Sequence, residues 1–111
     1  MTASNELLRG SVWSFRYLDD DEAKPVVIVS NDGRNRSRFE WLHVVRITTR
    51  PKRPLPTIVE LSDLDAPLTG RAMADELELV HKDDLEDRRG MLSPLTMDAI
   101  DLALRYVLAL H

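Results

Sequence analysis

Residues 44–56 read VVRITTRPKRPLP. Two valines and Ile47 lead into paired threonines, and a basic run broken by prolines follows. A threonine at a strand exit has two uses. Its hydroxyl can close on its own backbone, the ordinary fate of such residues. Beside dense positive charge it can instead face a phosphate, with the cations holding the anion and the hydroxyl donating to one of its oxygens.

The charge pattern makes the second use of Thr48 possible without selecting it over the first. Residues 34–53 hold Arg34, Arg36, Arg38, Arg46, Arg50, Lys52 and Arg53 against Glu40 alone, a net of +6 in a chain whose total is −4. Segregation of this kind marks a local anion-binding surface on an acidic body. Phe39 lies inside the basic run and can stack bases, whereas Trp41 and Trp13 are assigned to the core. Two other chemistries have weaker support. Residues 19–22 (DDDE) offer carboxylates to a magnesium ion but read as a solvated turn. His43 and His81 suit acid–base work, yet no motif joins them, and His111 is the last residue.

The elements that must carry these residues are short. Strands are expected at residues 10–18, 24–32 (opened by Pro25), 41–49 and 57–61, with one bent or two short strands over 71–80 and an edge at 91–93. Asp32-Gly33 is read as a tight turn with positive φ, and residues 62–70 as a loop. Period two in the third strand sets His43, Val45 and Ile47 inward and Val44, Arg46 and Thr48 outward together. A C-terminal helix begins with Ser93 as N-cap and Pro94 in its first turn. Met97, Ile100, Leu104, Val107 and Leu108 form one apolar face. Leu95, Ala99, Leu102, Tyr106 and Ala109 form a second, and Thr96, Asp98, Asp101 and Arg105 remain polar. The second apolar face calls for cover, either from a second subunit, the favoured reading, or from the rest of a small barrel.

With 111 residues the chain makes one domain, its first seven residues frayed and residues 8–111 folded. It has no cysteine, which fits a reducing cytoplasm. It also lacks the run of ~20 apolar residues that a membrane helix needs. Short strands and one terminal helix imply a mainly β fold, a small bent barrel or sheet plus helix.

Five motifs in chain order resemble the MazF/PemK-type toxins of bacterial toxin–antitoxin pairs: LRGSVW, KPVVIVSND, VVRITT, RAMADELELV and RGMLSPLTMDAIDLALRYVLAL. The resemblance runs from Leu8 to Leu110. It implies a compact SH3-like β-barrel with a C-terminal helix, the MazF/CcdB/Kid-type toxin fold, acting as a homodimer in the cytoplasm. It implies a sequence-specific endoribonuclease that needs no metal or other cofactor. Such an enzyme cuts single-stranded RNA by 2′-hydroxyl attack and leaves a 2′,3′-cyclic phosphate and a 5′-hydroxyl. A MazE-like antitoxin would lay a flexible C-terminal segment over the RNA groove.

The family's catalytic threonine falls on Thr48 and its basic residue before proline on Lys24. A phosphorane-like transition state gathers charge on its non-bridging oxygens, so a cation and a hydroxyl donor aimed there lower the barrier. Arg34, Arg36, Arg38, Arg46, Thr49, Arg50, Lys52 and Arg53 are then RNA contacts rather than catalysts. The chain departs from the family in three places. Lys24 stands where arginine is commoner, the loop at residues 19–23 is short, and Glu76 and Glu78 replace the usual glutamine and basic residue. Two alternatives keep the fold without the chemistry. A gyrase poison of the CcdB type typically ends in Trp-Gly-Ile, whereas this chain ends LALH. A degenerate homologue would bind only antitoxin or RNA.

Overall fold

A computed structural model describes residues 6–18 and 20–110. Six antiparallel strands run as β1 (Ser11–Phe15), β2 (Lys24–Ile28), β3 (Trp41–Thr48), β4 (Ile58–Glu60), β5 (Arg71–His81) and β6 (Leu85–Met91). Helix α1 (Asp32–Arg36) follows β2, and α2 (Pro94–Val107) closes the fold. The spatial order is β4-β5-β3-β2-β1-β6, so the early strands lie at the centre and the later ones at the edges.

Each central strand buries both faces, one residue in turn to each side. Val12, Val27, Val45 and Ile47 join Ala72, Leu92, Met97 and Ile100 in a core beneath α2. Trp13, Val26, Ile28, Leu42 and Val44 join Val80 and Leu85 in a second core on the opposite face. Residues of β1 and β5 meet in this second core although β2 and β3 lie between them in the sheet. The sheet therefore curls on itself into a barrel-like body without closing. Val44, expected outward, is fully buried in that second core.

A bulge in β5 sharpens the curl. Val45 pairs with Leu77 and Arg46 with Met73, leaving Ala74, Asp75 and Glu76 unpaired opposite a continuous β3. Of the two forms expected for this segment, one bent strand or two short ones, the single bent strand is observed.

The helix start matches the reading of its residues. Ser93 caps α2, its hydroxyl accepting from the Thr96 amide at 3.2 Å, and Pro94 occupies the first turn. Thr96, assigned to the polar face, is instead buried, its hydroxyl donating to Asp65 at 2.6 Å. The second apolar face is uncovered, with Leu95, Leu102 and Tyr106 each about two-thirds exposed.

Several expectations are corrected. Residues 32–36 form a helix rather than a tight turn. Asn31 caps it by accepting from the Arg34 amide at 2.8 Å, and Gly33 is not among the glycines with positive φ. β6 spans Leu85–Met91 rather than residues 91–93. The 62–70 loop contains a 3-10 turn, Asp63–Asp65, closed by a capping box between Ser62 and Asp65. Trp41 is 47% exposed rather than core, whereas Trp13 is buried and donates to Ser11 at 2.9 Å. Of the expected frayed terminus, residues 1–5 lie outside the described residues, as do Asp19 and His111. Glu6 meets Arg36 at 3.5 Å, and Leu7 packs against the second core.

Candidate active site

β2 and β3 set Lys24 and Thr48 together. Their last ladder pair is Val26 with Arg46, so the register continued by two residues places Lys24 opposite Thr48 on the same face. Both line one cleft of about 550 Å³, with Arg46, Arg50, Lys52 and Arg89 as further cationic walls. Asp20, Glu22 and Glu76 line it too, so its field is positive but not uniformly so.

The Thr48 hydroxyl accepts from the Arg50 amide at 3.2 Å. That bond uses a lone pair and leaves the hydroxyl proton free to donate, so the ordinary strand-end contact and a phosphate contact are compatible. The exit of β3 is held from two sides. Arg71 donates to the carbonyls of Thr49 and Arg50, at 3.5 and 3.3 Å, while its Nε bonds Glu60 at 2.7 Å. Gly70, at φ +117°, lets β5 begin directly against the Thr48 carbonyl. Sequence reasoning missed Arg71, because its role is visible only once β5 lies beside β3.

Arg46 shares the cleft with Thr48 but is already engaged. Its guanidinium lies 4.8 Å over the Tyr17 ring, at the border with a neighbouring cavity of about 770 Å³ that Glu78 also lines. Burial there pushes the Tyr17 phenol up to about 12, with Glu78 adding to the shift. Burial, then the Glu76 charge, raises the Glu78 carboxyl, and Arg46 opposes both.

The basic run is split by the length of β3. Arg50 and Lys52 reach the cleft, Thr49 lines it, and Arg53 lies beyond Lys52 in an adjoining depression. Arg34, Arg36 and Arg38 belong to the opposite end. Trp41 is seven residues from Thr48, about 23 Å of extended chain. There Arg34 donates to the Trp41 carbonyl at 3.0 Å and covers the exposed Phe39 ring at 5.0 Å. His43 and His81 lie diagonally across the β3–β5 ladder at that same end, with His81 edge-on to Trp41 at 5.2 Å.

This geometry meets a decisive comparison. Residues 8–108 match the family model described as the PemK-like, MazF-like toxin of type II toxin–antitoxin systems. The chain belongs to that family. It is 44% identical over 106 residues to Endoribonuclease MazF4 of Mycobacterium tuberculosis and to Endoribonuclease MazF1 of Mycobacterium bovis, covering 96% of each chain. Among solved structures it resembles an endoribonuclease in complex with its cognate antitoxin from a mycobacterial species. That match has TM-score 0.85 and 41% identity over 94% of this chain and 96% of the other. A MazE–MazF structure from Deinococcus radiodurans, at TM-score 0.78 and 16% identity, covers 94% of this chain and 96% of that one and shares the fold.

Within this MazF-like fold, the expected Lys24 and Thr48 lie in one cleft, whereas Arg34, Arg36 and Arg38 lie outside it. Arg89 of β6 is the cleft residue that sequence reasoning passed over. The segment LEDRRGM carries one buried apolar residue, Leu85, and gives no alternating pattern to announce a strand.

Proposed function

We propose that this MazF-like toxin is an endoribonuclease that cuts single-stranded RNA at the Lys24–Thr48 cleft without a metal ion. The register that sets Lys24 opposite Thr48 carries the reading. The RNA's own 2′-hydroxyl attacks the adjacent phosphorus, the bond to the 5′-oxygen breaks, and that oxygen leaves as a 5′-hydroxyl. Phosphorus keeps a 2′,3′-cyclic phosphate. Lys24 places an ammonium against the charge that builds on the non-bridging oxygens, and the Thr48 hydroxyl donates to one of them. Arg50 and Lys52 guide the flanking phosphates. Arg34, Arg36 and Arg38, with the exposed Phe39, offer a more distant contact for a longer strand.

Two partners belong to this reading. The uncovered face of α2 suits a second copy of the chain, giving a cytoplasmic homodimer. A MazE-like antitoxin would inhibit by laying a segment over the same cleft.

The test is cleavage of a long, unstructured RNA in EDTA by wild type, Thr48→Val and Lys24→Ala, with the new 5′ ends mapped. Wild type is expected to cut at discrete positions, and each substitution to slow cutting by roughly 10²–10³-fold. Cuts that survive both changes place the chemistry elsewhere. A folded wild-type protein that does not cut is a binding protein only.

A further inference from the structure

We infer that Arg89 is a further catalytic residue of the cleft, a guanidinium supplied by β6 that grips the scissile phosphate beside Lys24. This rests on the endoribonuclease reading above and extends it to a residue on a different edge of the sheet.

The argument begins with how Arg89 is held. Its Nε donates to the Ser14 hydroxyl at 2.7 Å, and its Nη2 donates to the Ala23 carbonyl at 3.1 Å. Ser14 is 4% exposed and sits in β1 opposite Pro25, so the first anchor is fixed to the sheet. Ala23 is the residue before Lys24, so the second anchor ties the guanidinium to the backbone that carries the ammonium. A guanidinium has five N–H donors in one plane. Two are spent on these anchors, and three remain at a side chain that lines the same cleft as Thr48.

Lysine and arginine offer different things to a phosphate. The Lys24 ammonium is a compact point charge on a flexible stem, whereas a guanidinium presents paired N–H groups matched to two phosphate oxygens. Arg89 is also better placed than Arg46, whose guanidinium is stacked on Tyr17. Among the described residues no carboxylate lies within ion-pair distance of Arg89, so its charge is available to an anion. Its neighbour Arg88 pairs with Trp13 in the ladder and does not line the cleft.

The experiment compares wild type with Arg89→Ala, Arg89→Lys and Arg88→Ala in two measurements. The first is single-turnover cleavage of an RNA that carries a mapped cut site. Arg89→Ala is expected to lose about 10²-fold in rate, Arg89→Lys to recover only part of it, and Arg88→Ala to stay near wild type. The second is the salt dependence of binding to the same strand with a 2′-deoxy residue at the cut site. One lost phosphate contact should reduce the log–log slope by about 0.7 in Arg89→Ala. A wild-type rate in Arg89→Ala overturns the inference. So does a slower rate with an unchanged slope and a lowered Tm, which is the signature of a loop tether alone. If the wild type binds but does not cut, the endoribonuclease reading fails, and Arg89 as a catalytic residue fails with it. The slope on the deoxy strand then separates a phosphate contact from a tether.

Discussion

A Cβ on Gly70 would stand 2.4 Å from the carbonyl oxygen of Thr48, and Gly70 holds φ +117°. Both facts demand glycine, one through space and one through backbone conformation. The close approach lets β5 start flush against the end of β3, and it brings the next residue, Arg71, onto the Thr49 and Arg50 carbonyls. Gly70→Ala must therefore push the end of β3 away. It should cost roughly 2–4 kcal/mol in urea unfolding. Cleavage should fall further than the folded fraction accounts for, since Thr48 itself moves. Wild-type stability in this variant would show that the contact is not as tight as described.

Asp65 ties three segments together. Its carboxylate accepts from the Thr96 hydroxyl at 2.6 Å and from the amides of Ser62 and Ser93, both at 2.8 Å. Burial alone would raise its carboxyl, but these hydrogen bonds outweigh it and hold the group below its ordinary value of 3.8. The sign follows directly. A carboxyl depressed in the folded state adds stability above its unfolded value and loses it as pH falls through the folded one. Acid unfolding should therefore steepen below pH ~4 in wild type and flatten in Asp65→Ala. That variant should also lose about 3 kcal/mol at pH 7, because the buried Thr96 hydroxyl and the Ser62 and Ser93 amides all lose their acceptor. A calorimetric Tm lowered by roughly 10 °C or more would register this.

These two contacts show what was legible in the sequence and what was not. The start of α2 was readable because Ser93 and Pro94 act within their own turn. The strand exit at Thr48 was readable because β-branched residues give way abruptly to a basic proline-rich run. Gly70 and Asp65 were opaque, since each works on residues distant in sequence. The same holds for the β5 bulge, which is a property of pairing with β3. Helix α1 was misread because Asp32-Gly33 favours a turn locally, whereas the Asn31 cap and buried Asn35, which donates to the Ser30 carbonyl at 2.9 Å, favour a helical turn. β6 left no pattern because it is an edge strand with charges on its exposed positions. The basic run read as one patch only because sequence proximity hides the length of an extended strand.

Glu76 lines the cleft and Glu78 stands beside it against Arg46, so both would oppose an RNA phosphate in the proposed site. Glu76→Gln should tighten RNA binding about threefold to tenfold at low salt, and the gain should shrink as salt rises. Glu78 adds a pH signature. Its carboxyl is raised above the ordinary 4.5, first by burial and then by Glu76. A group raised in the folded state contributes stability below its unfolded value and loses it as pH rises through the folded one. Glu78→Gln should thus stabilise the protein slightly at pH 7, and RNA affinity in wild type should climb as pH drops toward that range. Titrations of a fluorescent single strand across pH and salt would check both, and a pH-independent affinity would remove Glu78 from the account.

The exposed face of α2 yields the last prediction. Leu95, Leu102 and Tyr106 recur at intervals of seven and four residues, so they form one stripe, and they are 64%, 65% and 65% exposed. Leu108 and Leu110 extend the apolar surface past the helix end at 50% and 59%. A stable pairing of two chains needs about 800 Å² from each. The helix alone, about 21 Å long, supplies part of that, and the exposed Leu108 and Leu110 after it add further apolar surface. Substituting Leu102→Glu puts a charge at the centre of the stripe without disturbing the core, because the buried side of the helix is Met97, Ile100 and Ala103. Light scattering at micromolar concentration should show a dimer for wild type and a monomer for Leu102→Glu, with far-UV dichroism unchanged. A monomeric wild type would mean that the stripe serves another partner, and the antitoxin would be the first to try against it.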